Sequence, residues 1–191
     1  VMTVEVIDLS QGPSLINPLL AELRDVNVQN DPLRFRRNLE RCGEIFAYEI
    51  SKRLAYDNQV VETPLGKATV PVLREQPVLA TILRAGLPLH QGLLNAFDRA
   101  DNTFISAFRK HEGDEETFEV EIEYLASPSI EGRTVILCDP MLATGSSMVL
   151  AFRALLERGA PGPLHVVSVL ASRRGIAAVK KHFPAGTTLW V

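Results

Sequence analysis

From Leu33 onward, apolar residues recur at Leu33, Phe35, Leu39, Ile45, Phe46, Ile50 and Leu54, with arginines and glutamates between them. That spacing predicts an amphipathic helix over residues 31–54, capped by Asp31 with Pro32 in its first turn and laid on a sheet by its apolar side. Around it the pattern changes period. "VEVIDLS" reads as a short opening strand, "QVVETPLGKATVPVL" as two short strands about a Pro-Gly turn, and "PVLATIL" (residues 77–83) as a continuously buried strand. A helix is predicted over residues 88–99, a strand over 102–109, and then a charged loop or hairpin, "KHEGDEETFEVEIEYLASPSIEG". The strand "TVILCD" (134–139), the helix "SMVLAFRALLERGA", the strand "PLHVVSVLAS", the helix "RRGIAAVKKHF" and a last strand "TTLWV" complete the alternation. Buried strands alternating with helices predict an α/β fold: a doubly wound, mostly parallel sheet with helices on both faces. In such a sheet ligands bind beyond the carboxyl ends of the strands.

Composition narrows the partner. The chain has 191 residues, 46% of them hydrophobic, enough for one sizeable core, so a single domain over 1–191 is expected. Twenty Lys and Arg against 23 Asp and Glu leave no basic excess for a nucleic-acid backbone or an anionic lipid surface, and point to a small molecule instead. Apolar runs such as "VVSVLAS" fall well short of the roughly 20 residues of a membrane span. Cys42 and Cys138 have no CxxC or metal spacing and read as small buried hydrophobes in a reducing compartment. Without a charged-then-apolar leader, a cytoplasmic setting is expected. His90, His111, His165 and His182 show no metal-ligand spacing and are expected in structural or solvent roles.

The chemistry concentrates in "VILCDPMLATGSSM" (135–148), where a buried strand ends in an acid, a proline and a knot of small residues before a helix. Wrapping a phosphate takes exposed backbone N–H groups, little bulk and the positive end of a helix dipole, all of which "ATGSS" (143–147) supplies. Thr144, Ser146 and Ser147 add hydroxyls, and Gly145 lets the backbone turn. The loop lacks the spacing and lysine of a Walker motif and is not GxGxxG, which argues against a triphosphate or dinucleotide. Asp139 is placed to accept hydrogen bonds from sugar hydroxyls, so a ribose phosphate fits both ends. The plain alternative is an ordinary strand-to-helix turn with a Ser or Thr cap.

"VILCDPMLATGSS" closely resembles the phosphoribosyl diphosphate (PRPP) motif of phosphoribosyltransferases, and its "DPMLATG" form resembles uracil phosphoribosyltransferases. "FRRNLERCGEIFAYEISKRL", "VETPLGKA", "TILRAGLPL" and "IEGRTVILCDPMLATGSS" are similar to that family in the same order, over almost the whole chain. The resemblance implies the type I phosphoribosyltransferase fold with a flexible β hood at about residues 109–128. It implies transfer of uracil onto PRPP to give UMP and diphosphate in pyrimidine salvage. It further implies that Arg84, Ala85, Gly86 and Arg109 bind the diphosphate. Asp139, Pro140, Met141, Leu142, Ala143, Thr144, Gly145, Ser146 and Ser147 would bind the ribose and 5'-phosphate. Mg2+ is expected to arrive with PRPP, with no metal ligand from the protein and no covalent nucleophile, and a homodimer or higher homo-oligomer is expected. The chain departs from the family in "ATGSS" for "ATGGS", in "RAGLPLHQG", in extra hood residues around "HEGD", and in stopping at Val191, ahead of the family's glycine-rich uracil-reading segment, which is expected to be missing from this chain. Two other readings stay open: a PRPP-sensing regulatory protein without turnover, and transfer to a purine base.

Overall fold

The structure, a computed structural model, describes residues 3–111 and 118–191, and their side chains except those of residues 108–111 and 118–120. Seven strands form one sheet: β1 (Glu5–Ile7), β4 (Val78–Leu83), β5 (Asp101–His111), β6 (Phe118–Ala126), β7 (Val135–Cys138), β9 (Leu164–Val167) and β11 (Thr188–Trp190). Their order is β1-β11-β9-β7-β4-β5-β6. Every neighbouring pair is parallel except β5 and β6, so β6 is an antiparallel edge. Two short strands, β2 (Tyr56–Thr63) and β3 (Gly66–Leu73), make a separate hairpin.

The strand side chains alternate with period 2, and the alternation builds two cores. Val78, Ala80, Ile82, Val135 and Leu137 face one layer, where they meet Met148, Phe152 and Leu155 of α4 (Ser146–Leu155) and Val179 of α5 (Arg173–His182). Leu79, Ile136 and Cys138 face the other, where α1 (Ile16–Arg24), α2 (Pro32–Ser51) and α3 (Leu87–Ala96) supply Leu20, Phe46, Leu89 and Leu93. Both faces are thereby covered, which is why the central strands are apolar without interruption.

The capped helix is present as expected: Asp31 accepts a hydrogen bond from the Arg34 N–H at 3.0 Å, with Pro32 in the first turn. Residues up to 111 and from 118 continue the sheet, since β5 and β6 pair from Phe104↔Ala126 to His111↔Phe118 with a bulge between Ser106 and Ala107. Two details differ from the periodicity. Helix α1, over "INPLLAELR", has no counterpart among the expected elements. The run "PLHVVSVLAS" is two strands: β9 lies in the main sheet, and β10 (Leu170–Ala171) pairs with β8 (Met141–Leu142). The break falls at Ser168 and Val169, where the chain leaves the sheet because the Val169 and Leu170 N–H groups both donate to the Pro140 carbonyl at 3.0 Å.

Candidate functional site

The connections from β4 and β7 leave in opposite directions. β4 runs through α3 to β5 on one side, and β7 runs through α4 to β9 on the other. The carboxyl ends of β4 and β7 therefore flank the switch point of the sheet, where a doubly wound fold opens a crevice. Both candidate segments stand there. Residues 84–86 follow β4, and residues 139–147 follow β7.

In the first segment the Leu83–Arg84 peptide bond is cis, Arg84 and Ala85 are exposed, and Gly86 is buried as the cap residue of α3. The turn is held by the Gly86 N–H donating to Ile82 O at 3.0 Å and the Leu87 N–H donating to Arg84 O at 3.2 Å. A Cβ on Gly86 would lie 2.6 Å from both Ile82 O and Thr81 Oγ1, so only glycine lets the turn close this far onto β4.

In the second, Gly145 adopts φ +84° at the start of α4, a conformation that L side chains rarely take. Ala143, Thr144 and Ser146 are exposed there, and Thr144 Oγ1 accepts from the Ser146 N–H at 3.3 Å. The first N–H groups of α4 have no intrahelical carbonyl, so they and the hydroxyls form an anion-ready concavity. Pro140 and Leu142 are buried and anchor the loop, while Met141 is 55% exposed at its edge.

Asp139 is half-buried at the mouth of the crevice. Burial pushes its carboxyl up to about 6, held back from rising further by the Met141 N–H that donates to it. Near neutral pH it is a carboxylate with unused acceptor capacity, suited to hydroxyl donors. Cys138, behind it, is fully buried, and burial pushes its thiol up to about 12, which keeps it protonated. Arg109 lies in β5 opposite Val120, and its side chain is outside the described residues, as are residues 112–117 of the expected hood and the side chain of His111.

His90 and His165 are buried and hydrogen-bonded. His90 Nε2 is 2.8 Å from Asn102 Oδ1, and burial lowers its pKa. His165 Nδ1 accepts from Trp190 Nε1 at 3.1 Å. His182 is exposed on α5.

One residue of the site was not legible in the motif. Ser172 precedes α5, where its Oγ accepts from the Gly175 N–H at 2.9 Å as an N-cap. The same hydroxyl donates to Ala143 O, and the Ser172 N–H donates to Leu142 O at 2.9 Å. Ser172 thus pins the small-residue loop to α5. The "SRRG" spacing signals the cap, but nothing local signals a partner 29 residues away. Gly175 completes the seat, since a Cβ there would lie 2.5 Å from Leu142 O.

Residues 11–191 match the family model described as uracil phosphoribosyltransferase. A curated protein of that name from Porphyromonas gingivalis is 50% identical over 188 residues, covering 98% of this chain and 87% of its own. Among solved structures, the AQ2163 protein from Aquifex aeolicus superposes with a TM-score of 0.83 at 28% identity, over 97% of this chain and 85% of that one. A hypoxanthine phosphoribosyltransferase from Staphylococcus aureus, at 19% identity and TM-score 0.52 over 82% of this chain and 74% of its own, shares the fold alone.

Proposed function

This chain belongs to the uracil phosphoribosyltransferase family, and from that premise we propose how its residues carry out the transfer. The fold is that of the type I phosphoribosyltransferases, and the enzyme is a pentosyltransferase acting on uracil. PRPP is its second substrate: uracil N1 bonds to C1 of the ribose as the C1–O bond to diphosphate breaks, giving UMP and diphosphate, with the N1 proton released to the diphosphate or solvent.

The observation that carries this reading is the meeting of the 84–86 turn and the 139–147 loop at the switch point between β4 and β7. The 5'-phosphate is held by the N–H groups at the start of α4 with the hydroxyls of Thr144, Ser146 and Ser147. Asp139 accepts from the ribose hydroxyls, and its negative charge favours the cationic character that C1 acquires as the bond breaks. The turn of Arg84, Ala85 and Gly86 receives the diphosphate. Positioning and charge stabilisation supply most of the catalysis.

Among the described residues no group of three or more His, Cys, Asp or Glu is placed to hold a metal ion. Mg2+ would arrive bound to the phosphates of PRPP, with no ligand from the protein. When bound it would neutralise charge on the departing diphosphate. Self-association, at least as a dimer, belongs to the same reading and is supported by exposed Val60 and Leu65 on the β2–β3 hairpin. So does a cytoplasmic setting; no described helix is long and apolar enough to cross a membrane.

The PRPP-sensing alternative finds no support among the relatives, which are named for the enzyme. The test is UMP formation from uracil and PRPP with Mg2+, followed spectrophotometrically. Turnover is expected, and PRPP binding without turnover would refute the enzymatic reading.

A further inference from the structure

Thr81 is the one polar residue in β4, "VLATIL", and it is fully buried. A hydroxyl enclosed among aliphatic side chains is costly unless bonded, so its partners identify its role. It has two. Its Oγ1 is 2.9 Å from Cys138 Sγ, on the neighbouring strand where Thr81 and Cys138 are register partners, and 3.4 Å from the Gly86 carbonyl. Cys138 immediately precedes Asp139, and Gly86 closes the 84–86 turn.

We propose that Thr81 is a positioning residue that ties the 84–86 turn to the end of β7 carrying Asp139. The bonds have a consistent direction. The protonated Cys138 thiol donates to Thr81 Oγ1, and the Thr81 hydroxyl donates to Gly86 O. Gly86 is then tied at both ends of its backbone, its N–H on Ile82 O at 3.0 Å and its carbonyl on Thr81. The same carbonyl accepts the His90 N–H at 2.9 Å, so the bond from Thr81 also sets where α3 begins. The absence of room for a Cβ at Gly86 shows how far the turn is pressed onto this hydroxyl. β4 and β7 are the strands on either side of the switch point, so the Thr81–Cys138 pair is a side-chain link beneath the two halves of the crevice.

The inference rests on the PRPP reading of the site, and the test separates the two. Binding of diphosphate with Mg2+ and of ribose 5-phosphate is measured by calorimetry on the wild-type protein, Thr81→Val and Thr81→Ser. Valine keeps the shape and removes the hydroxyl; serine keeps the hydroxyl. Thr81→Val is expected to weaken diphosphate about five- to tenfold, the worth of one lost buried hydrogen bond, and to change ribose 5-phosphate by less than about twofold. Thr81→Ser is expected to bind diphosphate as the wild type does. Unchanged diphosphate affinity in Thr81→Val, or equal weakening of both ligands that serine does not rescue, overturns the positioning role. Failure of the wild type to bind either ligand overturns the site reading itself. Should Thr81→Val not fold, diphosphate affinity in Thr81→Ala against Thr81→Ser gives the same comparison.

Discussion

Replacing Ser172 by alanine removes two hydrogen bonds with different jobs. The bond from the Gly175 N–H caps α5, and losing such a cap costs typically about 1 kcal/mol. The bond to Ala143 O holds the 139–147 loop and contributes about 0.5–1.5 kcal/mol net, toward the lower end here because Ser172 is exposed. The backbone bond from the Ser172 N–H to Leu142 O survives any such change. Ser172→Ala is therefore expected to lose about 1–2 kcal/mol, a fall in Tm of about 2–8 °C for a chain this long. It should also raise KM for PRPP a few-fold. Aspartate separates the two jobs. Ser172→Asp still accepts the Gly175 N–H and should recover most of the lost Tm. It cannot donate to Ala143 O, and it places a negative charge beside the loop, so its KM for PRPP should exceed that of the alanine variant. Thermal melts and initial-rate kinetics on both variants decide it. Wild-type KM in Ser172→Asp would refute the view that this hydroxyl seats the loop.

Four further outcomes follow from the same structure. Asp139 must be ionised to accept sugar hydroxyls, so kcat/KM for PRPP should rise with pH through about 6, and Asp139→Asn should flatten that limb while lowering kcat/KM about ten- to hundredfold. Because its folded pKa is raised above 3.8, ionised Asp139 opposes folding as pH rises through about 6, so the unliganded Asp139→Asn protein should melt higher than wild type at pH 7.5. His165 behaves oppositely: burial, then the nearby Arg53 charge, depresses its pKa to about 4, so the stability it gives as a neutral acceptor for Trp190 is complete above about 6.5 and lost as pH falls towards 4. Unfolding free energies from urea titrations at pH 7 and 4.5 should differ by about 2 kcal/mol more in wild type than in His165→Gln. Gly145→Ala puts a Cβ 2.6 Å from Ala178 Cβ at φ +84°, and should cost about 1–3 kcal/mol and raise KM for PRPP, as melts and kinetics would register.

What was readable in the chain and what was not divides along sequence separation. The capped α2, the apolar strands β4 and β7 and the small-residue loop after Asp139 depend on periodicity and on turn chemistry within a few residues, so each appeared where the pattern put it. Helix α1 escaped because nine residues containing Pro18 make too short a period to stand out from a loop. The run from Leu164 to Ala171 looked like one strand because all of it is apolar enough to be buried. Its division at Ser168 comes from the Pro140 carbonyl, which lies near in space and far along the chain. The site divides in the same way. The sequence alone marked the small-residue turns and the acid at the strand ends, since a motif carries its own geometry. Only the tertiary structure decided what holds those turns in place, Ser172 against Ala143 and Thr81 between Cys138 and Gly86. Hydrogen bonds between strands and across layers depend on register and packing, which no local pattern encodes.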